Sequence, residues 1–229
     1  MEKTTDVLFN IGAVTISQTV VTTWVLTLLM ALGSWAATRR LRVTPGPVQV
    51  VLEGIIEAIE NAIRAVLPGE ARRVLPFIAT LWLFIVVANL SGLIPGVDAP
   101  TGNLSTTAAL AVLVFLSVHW FGIRSEGIAT YVRHYLAPIP LMLPFHIISE
   151  MTRTLALAVR LFGNMMSLEM AALLVLLVGG ILVPIPLLML HIVEALIQAY
   201  IFGMLALIYI AGAIQSQQVR QLRERIDHA

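Results

Sequence analysis

The chain contains no cysteine. Disulfides, thiolate metal sites and thiol catalysis are therefore excluded, while the compartment is left open. Charge is scarce: 12% of the 229 residues are Asp, Glu, Lys or Arg, against about 25% in a soluble domain. The net charge is +1, which argues against a nucleic-acid binder. There is no phosphate-binding Gly-rich loop, no dinucleotide fingerprint and no HExxH or comparable metal-ligand spacing. No Ser/His/Asp arrangement can be argued. Nothing here binds nucleotide or does covalent chemistry alone, so no catalytic residue, metal or cofactor is expected. There is no internal repeat and no low-complexity stretch.

What is present is apolar. Hydrophobic residues make up 59% of the chain, more than the ~45–50% of a soluble domain. A soluble core of this size could not hide that much apolar surface, so lipid must act as solvent for much of it. A spanning helix needs about 20 apolar residues. Charge-free windows of that length fall at about 16–38, 74–97, 99–123, 170–193 and 195–219. The first follows an acidic start (Glu2, Asp6) and ends at Arg39-Arg40-Leu41-Arg42. It is too long for a signal h-region and reads as a membrane anchor. The loop Pro95-Gly96-Val97-Asp98-Ala99-Pro100-Thr101-Gly102 joins the second and third windows.

The segment 47–67 differs. Glu53, Glu57, Glu60 and Arg64 recur at helical spacing, opposite Leu52, Ile55, Ile56, Ile59, Ile63 and Val66. That pattern predicts an amphipathic helix on the membrane surface or on a partner, ended by Pro68-Gly69. Helical pattern also runs over 143–178 and 186–217. Each of those helices would exceed about 45 Å, longer than the ~30 Å hydrocarbon, so each must tilt strongly, kink or run partly along the membrane plane. The fold class expected is an all-α integral membrane protein in one transmembrane domain, 1–229. It has about five membrane-crossing helices, the last two long and strongly tilted, plus one surface helix.

Orientation follows the excess of positive residues in cytoplasmic loops. With the N-terminus outside and five spans, Arg39, Arg40, Arg42, Arg64, Arg72, Arg73, Arg124, Arg133, Arg220, Arg223 and Arg225 fall on one side, and Lys3 alone on the other. The C-terminus is therefore expected in the cytoplasm. Arg153 and Arg160 remain inside the apolar region.

Ionisable groups deep in a bilayer cost about 2.5–3.5 kcal/mol each on insertion scales. The 143–178 helix carries Glu150, Arg153, Arg160 and Glu169, and the next carries His191 and Glu194. Glu150 and Arg153, three residues apart, read equally as a self-neutralising structural pair. Arg160 has no such neighbour: Ala156, Leu157, Gly163 and Asn164 occupy the positions three and four away. Asn164 shares its face and Gly163 thins the helix beside it. Glu169 lies about 180° around the helix and about 13 Å along it. His191, Glu194 and Gln198 form one polar stripe at i, i+3 and i+7. Singly, His191 or Gln198 reads as an interhelical hydrogen bond. With Glu169, the stripe reads as an aqueous pathway. His119, His134 and His146 are weaker signals; the first two sit near helix ends and are expected at the interface.

The run Leu155-Ala156-Leu157-Ala158-Val159-Arg160-Leu161-Phe162-Gly163-Asn164-Met165 resembles the signature of subunit a, the stator channel subunit of F-type ATP synthases. Pro45-Gly46-Pro47-Val48-Gln49, Asn89-Leu90-Ser91-Gly92-Leu93-Ile94-Pro95-Gly96, Pro100-Thr101 with Thr107, and Gln198-Ala199-Tyr200-Ile201-Phe202 match further family motifs in order, over about 16–212. The resemblance implies that Arg160 is the essential arginine and Glu169 the acidic group of the half-channel open to the outside. It implies that His191 and Gln198 are channel residues of the last helix and that Asn164 is the family asparagine. Glu194 joins them as an addition, and His146, Glu150 and Arg153 are further candidates. Asn103 stands where many relatives carry aspartate, and His146 where they often carry glutamate. The implied partners are the c-ring, the peripheral-stalk subunit b and the lipid bilayer, in a bacterial inner membrane. The implied ion is the proton, with sodium open. A secondary transporter would show inverted repeats or broken helices, and neither is evident. A membrane scaffold would not need Arg160 without a partner.

Overall fold

The structure, a computed structural model, describes residues 7–11, 14–39, 41–94, 97, 99–127, 143–179 and 184–227. Lys3, Arg40, Pro95, Gly96, Asp98, Arg133, His134 and residues 180–183 lie outside the described residues, as do the side chains of His146, Arg220, Arg223 and Arg225. Among the described residues, five helices are long and apolar enough to cross a membrane.

The chain opens with a short antiparallel ribbon, β1 (Val7–Ile11) against β2 (Val14–Ser17), with an irregularity between Val7 and Phe9. The sequence reading did not anticipate it. The β-branched run Val14-Thr15-Ile16 supplies the local preference. Helix α1 (Gln18–Thr38) follows with no buried residue. Trp24, Leu28, Leu29, Leu32 and Trp35 are all exposed on it. Such a helix is stable only where lipid covers it. Three of its hydroxyls are satisfied within the helix: Thr22, Thr23 and Thr27 donate to carbonyls four residues back, as hydrocarbon requires. Arg39 lies over the Trp35 ring at 4.1 Å, at the helix end.

Helix α2 (Pro47–Val66) starts at Gly46 with Pro47 in its first turn, where the missing N–H has no intrahelical role. Only Ile59 and Ile63 on it are buried, with Leu67 just beyond. Val48, Val51, Leu52, Ile55 and Ile56 stay exposed. Glu60 and Arg64 pair at 2.6 Å on the polar side. The helix is thus anchored at its C-terminal end and leaves the rest of its apolar edge to the membrane.

Helices α3 (Ala71–Ser91) and α4 (Leu104–Glu126) are joined through a 3-10 turn at Pro100–Gly102. Both differ from the charge-free windows for one reason. A window stops at charge, whereas a helix stops at backbone signals. So α3 begins earlier, through Arg72 and Arg73, and ends before the Gly92–Gly102 turn. The Asn103 side chain caps α4 by accepting from the Ser105 N–H at 2.9 Å. Gly127, at φ 86°, ends it in the left-handed region where only glycine is unstrained.

Helix α5 (Leu143–Gly179) has 37 residues and α6 (Pro184–Asp227) has 44. At 1.5 Å per residue these are about 55 and 66 Å long. The core lies where α3, α4, α5 and α6 meet: Ile78, Ile85, Val114, Leu161, Phe202, Leu207 and Ile210 are among its buried members. Gly203 permits the closest approach. A Cβ there would lie 2.6 Å from Trp82 Nε1, and Trp82 stacks on Tyr200 with centroids 5.6 Å apart.

The bundle has two chemically distinct ends. At one, Arg73 donates to the Arg124 carbonyl at 2.9 Å and Gln215 to the Val66 carbonyl at 2.9 Å. At the other sit the Gly92–Gly102 turn and the Asn103 side chain, 3.5 Å from the Thr19 hydroxyl.

Candidate ion pathway

At the Asn103 end, His191 is 7% exposed and Asn89 is fully buried. His191 Nε2 lies 3.3 Å from the Asn89 carbonyl oxygen. A carbonyl only accepts, so this ring nitrogen carries the hydrogen. Asn89 in turn donates from Nδ2 to the Ala195 carbonyl at 3.2 Å. Gly92 makes room for this arrangement: a Cβ on it would stand 3.0 Å from Ala99 Cβ and 3.8 Å from His191 Cε1.

Glu169 reaches the same connection from α5. A Cβ on Gly102 would lie 2.9 Å from Glu169 Oε1 and 3.6 Å from Oε2. The carboxylate therefore rests on the Pro100–Gly102 backbone, and any larger residue at 102 would displace it. Glu169 and His191 thus abut opposite ends of one Gly92–Gly102 segment, which the Gly92–Ala99 approach folds together. Glu194 is half-buried one turn from His191 and has no hydrogen-bond or ion-pair partner among the described residues.

Deeper in the bundle, Asn164 Nδ2 donates to Gln198 Oε1 at 2.7 Å, tying α5 to α6. Gln198 is 1% exposed. Three buried polar atoms have no partner among the described residues: Asn89 Oδ1, Thr101 Oγ1 and Gln198 Nε2. Leaving such an atom unmet costs about 1–3 kcal/mol, which bonding to water offsets.

Arg160 is one turn from Asn164 but turned outward. Leu157 and Leu161 beside it are buried, whereas Arg160 is exposed, with no hydrogen-bond or ion-pair partner among the described residues. Ala156, Gly163 and Ser167 lie along the same exposed stripe. A Cβ on Gly163 would meet nothing within 4 Å, so no contact inside this chain demands its smallness. Arg153, two turns before, is exposed on the same face, and Arg160, flanked by small residues there, is suited to a surface that comes close from outside.

At the Arg124 end, Glu150 meets His119 of α4: Oε2 lies 3.2 Å from Nε2. The self-neutralising reading of Glu150 with Arg153 is replaced. Arg153 has no ion pair among the described residues and lies 5.4 Å from the centre of the Tyr209 ring. His119 is half-buried, with its ring beside Glu150 of α5. The signal for it was a single ionisable group in an otherwise uncharged span. Asn89 was missed as a site residue for a similar reason: it was quoted only in a motif, although it is an amide inside the 74–97 window.

The family profile described as ATP synthase A chain matches residues 20–211. The chain is 64% identical over 221 residues to ATP synthase subunit a 2 of Pelobacter propionicus, covering 96% of this chain and 97% of that protein. It is 59% identical over 211 residues to ATP synthase subunit a 1 of Hahella chejuensis, covering 92% and 90%. It is 53% identical over 219 residues to ATP synthase subunit a of Legionella pneumophila (strain Paris), covering 95% of each. With its apolar spans and these relatives together, the chain belongs to the ATP synthase subunit a family, the proton-translocating membrane component of the F-type stator, which leaves ATP chemistry to other subunits.

Proposed function

We propose that Arg160 separates two offset half-channels and couples ion flow to rotation of a c-ring that slides over the exposed face of α5. The observation that carries this reading is the outward, unpaired Arg160 on a stripe of small residues, set between two carboxylates of the same helix. Glu169 lies nine residues beyond it and Glu150 ten before, about 13 and 15 Å along the axis in opposite directions.

The outer half-channel is formed by Glu169, His191 and Glu194, with Asn164 and Gln198 extending it toward Arg160. Asn89 Oδ1, Thr101 Oγ1 and Gln198 Nε2 are placed to bond water along it. An ion arriving there neutralises a carboxylate on the ring. After nearly a full turn that carboxylate meets Arg160. Arginine keeps its proton in proteins, so it favours the ionised carboxylate and drives the ion off toward the inner half-channel, where Glu150, Arg153 and His146 are the candidate lining. As a fixed cation, Arg160 also opposes direct passage of protons between the two halves.

The Asn103 end faces outside and the arginine-rich end faces the cytoplasm, with the N-terminus outside, in a bacterial inner membrane. The chain acts as one transmembrane unit. Its partners are the c-ring and peripheral-stalk subunit b, whose transmembrane part would cover exposed surface such as that of α1. The ion is the proton. The testing experiment is purification in mild detergent, followed by mass spectrometry and ATP-driven pumping after reconstitution. A small apolar two-helix subunit should co-purify, and Arg160→Ala should retain it while pumping is lost. Recovery of the chain alone, or pumping by the variant, would overturn the reading.

A further inference from the structure

The pairing of His119 with Glu150 has a protonation consequence. His119 is held from both sides. Its Nδ1 lies 2.9 Å from the Phe115 carbonyl oxygen one turn back, and its ring packs on Phe115 with centroids 4.3 Å apart. Its Nε2 faces Glu150 Oε2 at 3.2 Å. Both ring nitrogens therefore face oxygen. A carbonyl can only accept, so Nδ1 carries a hydrogen. A neutral imidazole then presents a bare lone pair at Nε2, and an ionised carboxylate presents lone pairs in return. The two repel unless a further proton lies between Nε2 and Oε2. The geometry is that of a site holding one exchangeable proton.

Its place in the bundle suits exchange. The side chains of His119 and Glu150 are 27% and 24% exposed, so neither is sealed inside the bundle. His119 lies five residues, about 7.5 Å, from Arg124, whose carbonyl takes the Arg73 guanidinium. The pair is therefore near the arginine-rich edge of the span. Among the described residues, the charged and titratable groups at this end of the helices packed here are Arg124 on α4, Arg73 on α3, Arg153 on α5 and, beside Arg153, Tyr209 on α6. Around α5, Glu150 and Glu169 stand about 100° apart, so the two carboxylates open to different sides of the helix.

We infer that His119 and Glu150 form the proton-exchange pair of the inner half-channel, with His119 a relay residue contributed by α4. This rests on the half-channel reading given above. The ring carboxylic acid gives up its O–H proton beside Arg160. Through water, that proton fills the position between Glu150 Oε2 and His119 Nε2. It then leaves to cytoplasmic water, and the ring is left as a carboxylate. The reverse sequence runs in pumping from the cytoplasm, and no electrons are transferred.

The test uses the whole complex in inverted vesicles, with passive proton conduction read after the catalytic sector is stripped. His119→Gln keeps an amide donor for Glu150 but cannot relay a proton. It should lower conduction roughly 10²-fold, the lower range of a general acid–base effect, as should Glu150→Gln. Ring co-purification should be unchanged. Imidazole buffer added on the cytoplasmic side should restore conduction in His119→Ala. Native conduction in His119→Gln would show a merely structural hydrogen bond and overturn the inference. Arg160→Ala in parallel separates the two claims. Loss of pumping there with normal His119→Gln sinks only the relay, whereas retained pumping in Arg160→Ala sinks the half-channel reading itself.

Discussion

Replacing Arg160 removes one charge from an open helix face, and the size of the effect can be worked out. A guanidinium about 4 Å from a ring carboxylate, at an effective dielectric of about 20, stabilises the ionised form by about 4 kcal/mol. That is about three pKa units on the carboxylate, or a thousandfold in the equilibrium for proton release. Removing the cation raises the ring carboxylate's affinity for its proton by that factor. Protons then stay on the ring instead of leaving at the arginine. Arg160→Ala should therefore lose ATP-driven pumping and proton-driven ATP synthesis by at least about 10²-fold, because every cycle must release a proton at this point. The fold should be unaffected, because Arg160 is exposed and unpaired among the described residues. Arg160→Lys should also be badly impaired, because an ammonium loses its proton more readily when desolvated and lacks the planar fork. The assay is pH-gradient formation in reconstituted vesicles, normalised to co-purified ring. Coupling near the native rate in either variant would refute the electrostatic argument.

Gly203→Ala places a Cβ 2.6 Å from Trp82 Nε1 and should destabilise the α3–α6 contact by about 1–3 kcal/mol, read as a lower detergent unfolding midpoint; an unchanged midpoint would contradict the packing. Gly102→Ala puts a methyl 2.9 Å from Glu169 Oε1 and should slow proton entry from the outer side without affecting assembly, which a one-sided pH-jump assay would detect. Cysteines at Glu53, Glu57 and Glu60 of α2 should react with a membrane-impermeant thiol reagent only from the cytoplasmic side, and labelling from outside would overturn the topology. Exchanging bulk sodium for potassium should leave pumping unchanged; sodium-dependent ATPase activity, with sodium protecting the ring carboxylate from a carbodiimide, would reassign the ion and leave Arg160's role intact.

The spans were legible because lipid exposure demands long uncharged runs, and α1 shows this most simply. The ends of α3 and α4 were not, because Arg72 and Arg73 begin a helix that a charge filter rejects. The ribbon of β1 and β2 was hidden because its strands are short, five and four residues, and lie beside the apolar run of α1. Among the site residues, Arg160 stood out because nothing local could neutralise it. The partners of the others depend on contacts between distant helices. His191 finds Asn89, Glu169 finds Gly102, and Glu150 finds His119, at sequence separations that no local spacing reveals. Glu150 was the instructive case: Arg153, three residues away, suggested a local pair, but the closer partner came from α4.

The central claim is that Arg160 meets the ring carboxylate. The most direct measurement is a structure of the intact membrane complex, read for the distance between the Arg160 guanidinium and the nearest ring carboxylate. The account predicts that this distance falls within about 4–6 Å, the range in which an opposite charge favours the ionised form, with Ala156, Gly163 and Ser167 against the ring. An Arg160 facing lipid, with another face of the bundle on the ring, would contradict it.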